Sequence, residues 1–130
     1  MSEHPNVTRL REAYGALATG DLAVLDDLYA DEIVWIEGGR NQLAGRYEGR
    51  PAVYEMFGRL MTLTEGTFRV DVRALFADDT DGVAVVTTSM RRGAVTAEMV
   101  AADIYRFADG KVVEVQPVSG DQEAMDAVIG

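Results

Sequence analysis

A change of hydrophobic period at Gly66 constrains this chain more than any other feature of its sequence. Upstream of it, apolar residues recur at the spacing of one helix face; downstream they alternate. Val7, Leu10, Tyr14, Leu17 and Ala18 form a stripe between Asn6 and about Thr19, with Asn6 or Thr8 as the N-cap and Gly20 as the stop. Asp21 caps a second, shorter helix whose stripe is Leu22, Leu25, Leu28 and Tyr29. Pro51 suits the first turn of a third helix, which carries Val53, Phe57, Leu60 and Met61 on one face to about Leu63. Between the second and third, Ile33 to Glu37 reads as a short strand broken by Gly38 and Gly39, and a polar loop spans Arg40 to Gly49.

Beyond Gly66, Phe68, Val70, Val72, Ala74 and Phe76 alternate with Arg69, Asp71 and Arg73, a half-buried strand that ends in the acidic turn Asp78, Asp79 and Asp81. Val83 to Arg91, Val95 to Phe107 and Lys111 to Val118 follow as strands, separated by Arg92-Gly93 and by Asp109-Gly110, a strong hairpin signal. Asp121 to Ile129 suits one short terminal helix. Strands joined by turns this tight run antiparallel. Helices first and a meander afterwards give an α+β chain, expected as a strongly curved antiparallel sheet wrapped against three N-terminal helices, with a pocket between them.

The length of 130 residues suits one domain, residues 1–130, with a core large enough to need no disulfide or structural metal. The chain has no cysteine and a single histidine, His4. Thiol nucleophiles, thiolate metal sites and histidine-based triads are therefore excluded, and acid/base work falls to carboxylates, tyrosines or water. Twelve basic against twenty-two acidic residues leave a net charge of −10, which repels nucleic acid and anionic membranes. No run is long and apolar enough for a membrane helix, and MSEHPN is unlike a signal peptide, so a cytoplasmic location is expected.

Alternation places chemistry on particular faces. Ile33, Trp35 and Glu37 share one side of the first strand, away from Val34 and Ile36. Met99, Ala101, Asp103, Tyr105 and Phe107 share one side of a later strand, where Asp103 sits between apolar and aromatic neighbours. An ionised carboxylate is costly there, and a raised pKa is the usual response.

The stretches AYGALATGDLAVLDDLYADEIVW and YRFADGKVVEV resemble the SnoaL-like and ketosteroid isomerase-like branch of the NTF2-like superfamily, and the likeness covers nearly the whole chain. WIEGGRNQLAGRYEGRPAV resembles the approach to the third helix in many small SnoaL-like proteins. The resemblance implies an NTF2-like cone enclosing a pocket. Carried over from ketosteroid isomerases, it places Tyr14 at the oxyanion-hole tyrosine, Asp103 at the protonated acid beside it and Glu37 at the proton-shuttling base. The family base is usually Asp followed by Pro, whereas here Glu37 precedes Gly38, and the longer side chain moves the carboxylate by roughly 1 Å. SnoaL-type cyclases use a histidine and an aspartate at positions that hold Asp103 and Pro117 here, which disfavours their usual mechanism. Limonene epoxide hydrolase-like members use Asp-Arg-Asp to position a water, with Asp103 and one of Arg69, Arg73 or Arg91 as the candidates.

The expected substrate is a small, mostly apolar, oxygenated molecule lined by Trp35, Phe57, Met61, Met99, Ala101, Tyr105 and Val115, with proton transfer for isomerisation or cyclisation and with no cofactor and no metal. A binding or accessory module without chemistry is the alternative. Each residue also has a plainer role: Tyr14 as a docked helix residue with its hydroxyl bonded, Glu37 as an exposed strand end, Asp103 as a structural partner of Tyr14 or an arginine, and Met56, Met61, Met90 and Met99 as gap-fillers. Asp78, Asp79 and Asp81 read as a solvated turn, since calcium-loop spacing is absent. The family's frequent homodimers imply a homodimer here, with Arg69, Asp71 and Arg73 near its interface.

Overall fold

A computed structural model describes residues 3–130. Four helices pack on a curved, unclosed six-stranded mixed sheet, an α+β arrangement as expected. The order along the chain is α1 (Pro5–Thr19), α2 (Leu22–Leu28), β1 (Tyr29–Glu37), β2 (Gly45–Glu48), α3 (Arg50–Leu63), β3 (Arg69–Ala77), β4 (Asp81–Arg92), β5 (Val95–Ala108), β6 (Lys111–Ser119) and α4 (Gln122–Ile129).

Local signals set most boundaries. The α1 cap is His4, earlier than Asn6 or Thr8, because Pro5 takes the first helical position and the His4 ring accepts from the Asn6 N–H at 3.0 Å. Gly20 ends α1 at φ 72°, a conformation that only glycine adopts cheaply. Asp21 caps α2 through the Val24 N–H at 3.3 Å. Leu22 lies 47% exposed, outside the α2 stripe, and Tyr29 belongs to the strand that follows.

The sheet order is β2-β1-β6-β5-β4-β3. Every neighbouring pair is antiparallel except β1 and β6, which run parallel with Trp35 opposite Val115. The long excursion through α3 and the meander supplies the crossover that a parallel pair requires, and no turn signal announces such a pairing. The polar loop after β1 also forms β2, paired through Trp35 and Tyr47, because Gly45 to Glu48 fold back along β1. Register shifts in β1/β6, between Val72 and Ala74 of β3 and between Arg106 and Phe107 of β5 bend the strands around the helices.

The main core joins Leu10, Ala13 and Tyr14 of α1, Leu25 and Leu28 of α2, Ile33 and Trp35 of β1, Val53 and Met56 of α3, and Tyr105, Phe107 and Val115 of the sheet. A second cluster of Leu43, Leu60, Met90, Met99, Val128 and Ile129 lies under α4. The C-terminal helix is locked to the loop after β1. Asp126 accepts from the Arg40 N–H at 3.0 Å and from Asn41 Nδ2 at 2.8 Å. Gly39, at φ 95°, leaves no room for a Cβ against Gln122 and Asp126.

Candidate functional site

Three elements converge on one buried polar chain. Tyr14 on α1 is 8% exposed and Tyr105 on β5 is fully buried. Tyr105 Oη donates to Tyr14 Oη at 2.7 Å, and Tyr14 in turn donates to Asp103 Oδ2 in a short hydrogen bond. Their rings meet edge to face, with centroids 6.3 Å apart. Helical spacing in α1 and strand alternation in β5 bring these three side chains together from positions some ninety residues apart, about the separation the bonds span. Because Tyr14 accepts from Tyr105, its own proton is free only for Asp103 or for a competing acceptor in the same place.

The second carboxyl ends β1. Trp35 Nε1 donates to Glu37 Oε1 at 2.6 Å, as their shared strand face permits, and pins that side chain. Trp35 stands nearly perpendicular to Phe57 of α3, with ring centroids 4.9 Å apart. Burial raises Glu37 to about 7, against the bond from Trp35, and the charge of Asp103 pushes it the same way as burial. Burial raises Asp103 to about 6, partly offset by the bond from Tyr14. The charge of Asp103 is therefore within electrostatic reach of Glu37. Burial, followed by the neighbouring Asp103 charge, keeps the Tyr14 phenol protonated.

These raised values predict a pH dependence of stability. The folded state holds the two carboxyl protons more tightly than the unfolded chain does, so their stabilising contribution is complete below the ordinary carboxylate range and is lost as pH rises through about 6 and about 7. Denaturant midpoints measured from about pH 5 to about pH 8 should fall in the wild type and stay flatter in the Glu37→Gln/Asp103→Asn double variant. Equal slopes would mean that the carboxyls are ordinary.

The expected lining is only partly assembled. Trp35, Phe57, Ala101, Tyr105 and Val115 belong to the main core or pack on it. Met99 does not join them, because the end of β5 that carries it runs under α4 into the second cluster. Met61 is 42% exposed, on the outer flank of α3. Met56 and Met90 fill core space. Two surface depressions, about 550 Å³ beside Arg50 and Tyr54 and about 370 Å³ beside Thr67 and Met90, contain none of Tyr14, Glu37 and Asp103. The three side chains instead sit against packed aromatic rings, with Glu37 and Asp103 half-buried.

None of the arginines weighed for water activation bonds Asp103. Arg69 pairs with Asp71 at 3.1 Å and Arg91 lies 3.9 Å from Glu65, both largely exposed, and Arg73 is exposed. Asp103 and Pro117 are register partners across β5 and β6. Asp78 closes its turn by accepting from the Thr80 and Asp81 N–H groups at 2.9 and 2.7 Å, which hold its carboxylate below the usual range. Among the described residues no cluster of three or more metal-ligating side chains forms, and no helix is long and apolar enough to cross a membrane. Two features escaped the sequence reading: Tyr105 as the donor to Tyr14, hinted at only by its place two residues from Asp103 on one face, and the buried phenol of Tyr29.

A SnoaL-like domain model matches residues 10–115, and the chain belongs to that family, with the NTF2-like fold. An uncharacterised protein of Mycobacterium tuberculosis is 23% identical over 129 residues, covering 98% of each chain. Bal32a, from a soil-derived mobile gene cassette, is 26% identical at a TM-score of 0.92, covering 97% of each chain. TerC, co-crystallised with polyporic acid, is 18% identical at a TM-score of 0.85, covering 97% of this chain and 98% of its own.

Proposed function

We propose that this protein is a small acid/base enzyme that moves a proton within a compact, mostly apolar, oxygen-bearing substrate, for isomerisation or ring closure, with no cofactor taking part. The observation that carries this reading is the chain Tyr105 to Tyr14 to Asp103, set within electrostatic reach of a second desolvated carboxyl, Glu37. TerC, a neighbour in fold co-crystallised with polyporic acid, supports a small organic ligand.

A substrate carbonyl oxygen takes the place of Asp103 as acceptor of the Tyr14 proton. Asp103, deprived of that donor, then holds its own proton more tightly, while the bond from Trp35 favours charge on Glu37. The one proton that the pair shares moves to Asp103 and leaves Glu37 as the base. Glu37 removes the proton between the double bond and the carbonyl of a β,γ-unsaturated ketone. The electron pair moves onto the carbonyl oxygen, where Tyr14 and protonated Asp103 both donate to it. Glu37 returns the proton to the γ-carbon; in a ring closure the carbanion attacks a second carbonyl and the new alkoxide takes that proton.

The test is isomerisation of a cyclic β,γ-unsaturated ketone in deuterated water, followed by NMR. Wild type should convert it and incorporate deuterium, and Glu37→Gln should bind it without converting it. Wild-type binding with no conversion would replace the enzyme by a binding module.

The assembly we propose is a homodimer through the outer sheet face. Across the strands Phe76 lies opposite Val83 and Val83 opposite Ile104, and beside them Val85, Ala102 and Val118 form a second apolar row. Phe76, Ile104 and Val118 are 60%, 42% and 46% exposed. The rim carries both signs, Arg106 with Glu114 at 3.2 Å and Arg69 with Asp71 at 3.1 Å, so a twofold pairing can oppose unlike charges. Light scattering should give twice the 14.1 kDa chain mass for wild type and a single chain mass for Ile104→Asp. A monomeric wild type would remove this proposal.

A further inference from the structure

Tyr29 opens β1, is 1% exposed, and faces the main core with its ring centroid 6.4 Å from that of Trp35. Its hydroxyl is the one buried side-chain polar atom without a hydrogen-bond partner among the described residues. The other four tyrosines all place their hydroxyls in bonds: Tyr14 with Asp103, Tyr105 with Tyr14, Tyr47 with the Leu43 carbonyl, and Tyr54 with Asp26. An unpaired buried hydroxyl forfeits its hydration for nothing, a cost that folded chains rarely keep without a use.

Position gives that hydroxyl a use. Trp35 joins it to the site, since the same indole packs on Tyr29 and Phe57 and holds Glu37. Burial first, then Tyr54, then the charge of Asp103 keep its phenol protonated. Tyr29 is therefore a donor at any pH where the fold stands.

We propose that Tyr29 Oη is a substrate contact, donating to a second oxygen of the ligand remote from the oxygen held by Tyr14 and Asp103, so that the protein selects flat apolar molecules oxygenated at two places. This rests on the acid/base reading of the same site. A second anchored oxygen sets which end of the ligand meets Glu37.

The test compares 2-naphthol with 2,6- and 2,7-dihydroxynaphthalene, by calorimetry, in wild type and Tyr29→Phe. Wild type should bind at least one of the dihydroxy compounds about tenfold tighter than 2-naphthol, the worth of one hydrogen bond in a desolvated site. Tyr29→Phe should erase that preference, leave 2-naphthol affinity within about twofold, and leave the melting temperature of the free protein unchanged or raised, since an unpaired donor is removed. No preference in wild type, or a preference kept in Tyr29→Phe, overturns the proposal. So does a lowered melting temperature with all probes weakened alike, which would assign the hydroxyl to an internal water. The acid/base reading is scored separately by 2-naphthol in Tyr14→Phe: unchanged affinity there ends that reading whatever Tyr29 does.

Discussion

Glu37→Gln is expected to lower turnover of the β,γ-unsaturated ketone by about 10²–10⁴-fold, the usual contribution of a positioned base, with substrate affinity kept. Gln is close in shape to Glu and still accepts the Trp35 Nε1–H through its carbonyl, so the indole keeps its 2.6 Å partner and the aromatic wall stays in place. It cannot take a proton from carbon. The melting temperature at neutral pH should hold or rise, because burial already disfavours the charged form of Glu37. Steady-state kinetics beside a binding isotherm checks this. Equal turnover in both proteins would remove Glu37 from the chemistry.

Asp103→Ala should cost about 10²–10³-fold in turnover, as removal of one oxyanion donor does elsewhere. Tyr14→Phe should cost a similar factor, and the double variant less than the product of the two, since both donors serve one oxygen. Asp103→Asn separates donation from titration. Its amide still donates but carries no charge at any pH, so residual activity should survive where Asp103→Ala has little.

The pH profile carries the sign. Wild-type activity should rise as the carboxyl pair loses its first proton near 6 and fall as it loses the second near 7, because catalysis needs one proton on the pair. In Asp103→Asn the alkaline fall should disappear, and the remaining rise should report Glu37 alone, still held up by burial but without the added push of the Asp103 charge. An unchanged bell would assign both limbs to other groups.

Much of this was legible in the chain itself. Tyr14 could be placed on a buried stripe, and Asp103 on the apolar face of a strand, because side-chain direction repeats with the period of each element. Trp35 and Glu37 could be put side by side for the same reason. Met61 and Met99 could not be placed, since periodicity says which face a residue occupies and not which neighbour covers it. Met99 shares the face of Asp103, yet α4 covers its end of β5 and draws it into a different cluster.

The sequence by itself determined the order of the helices and of five of the six strands, the hairpin at Asp109-Gly110, the exclusion of thiol and histidine chemistry, and the family, because these follow from composition and from periods that repeat within a few residues. Only the tertiary structure decided the parallel pairing of β1 with β6, the relay from Tyr105 through Tyr14 to Asp103, and the unpaired hydroxyl of Tyr29. Each joins or isolates groups far apart in the chain. Which donor meets which acceptor is settled by the packing of the whole sheet against its helices, and no local pattern records it.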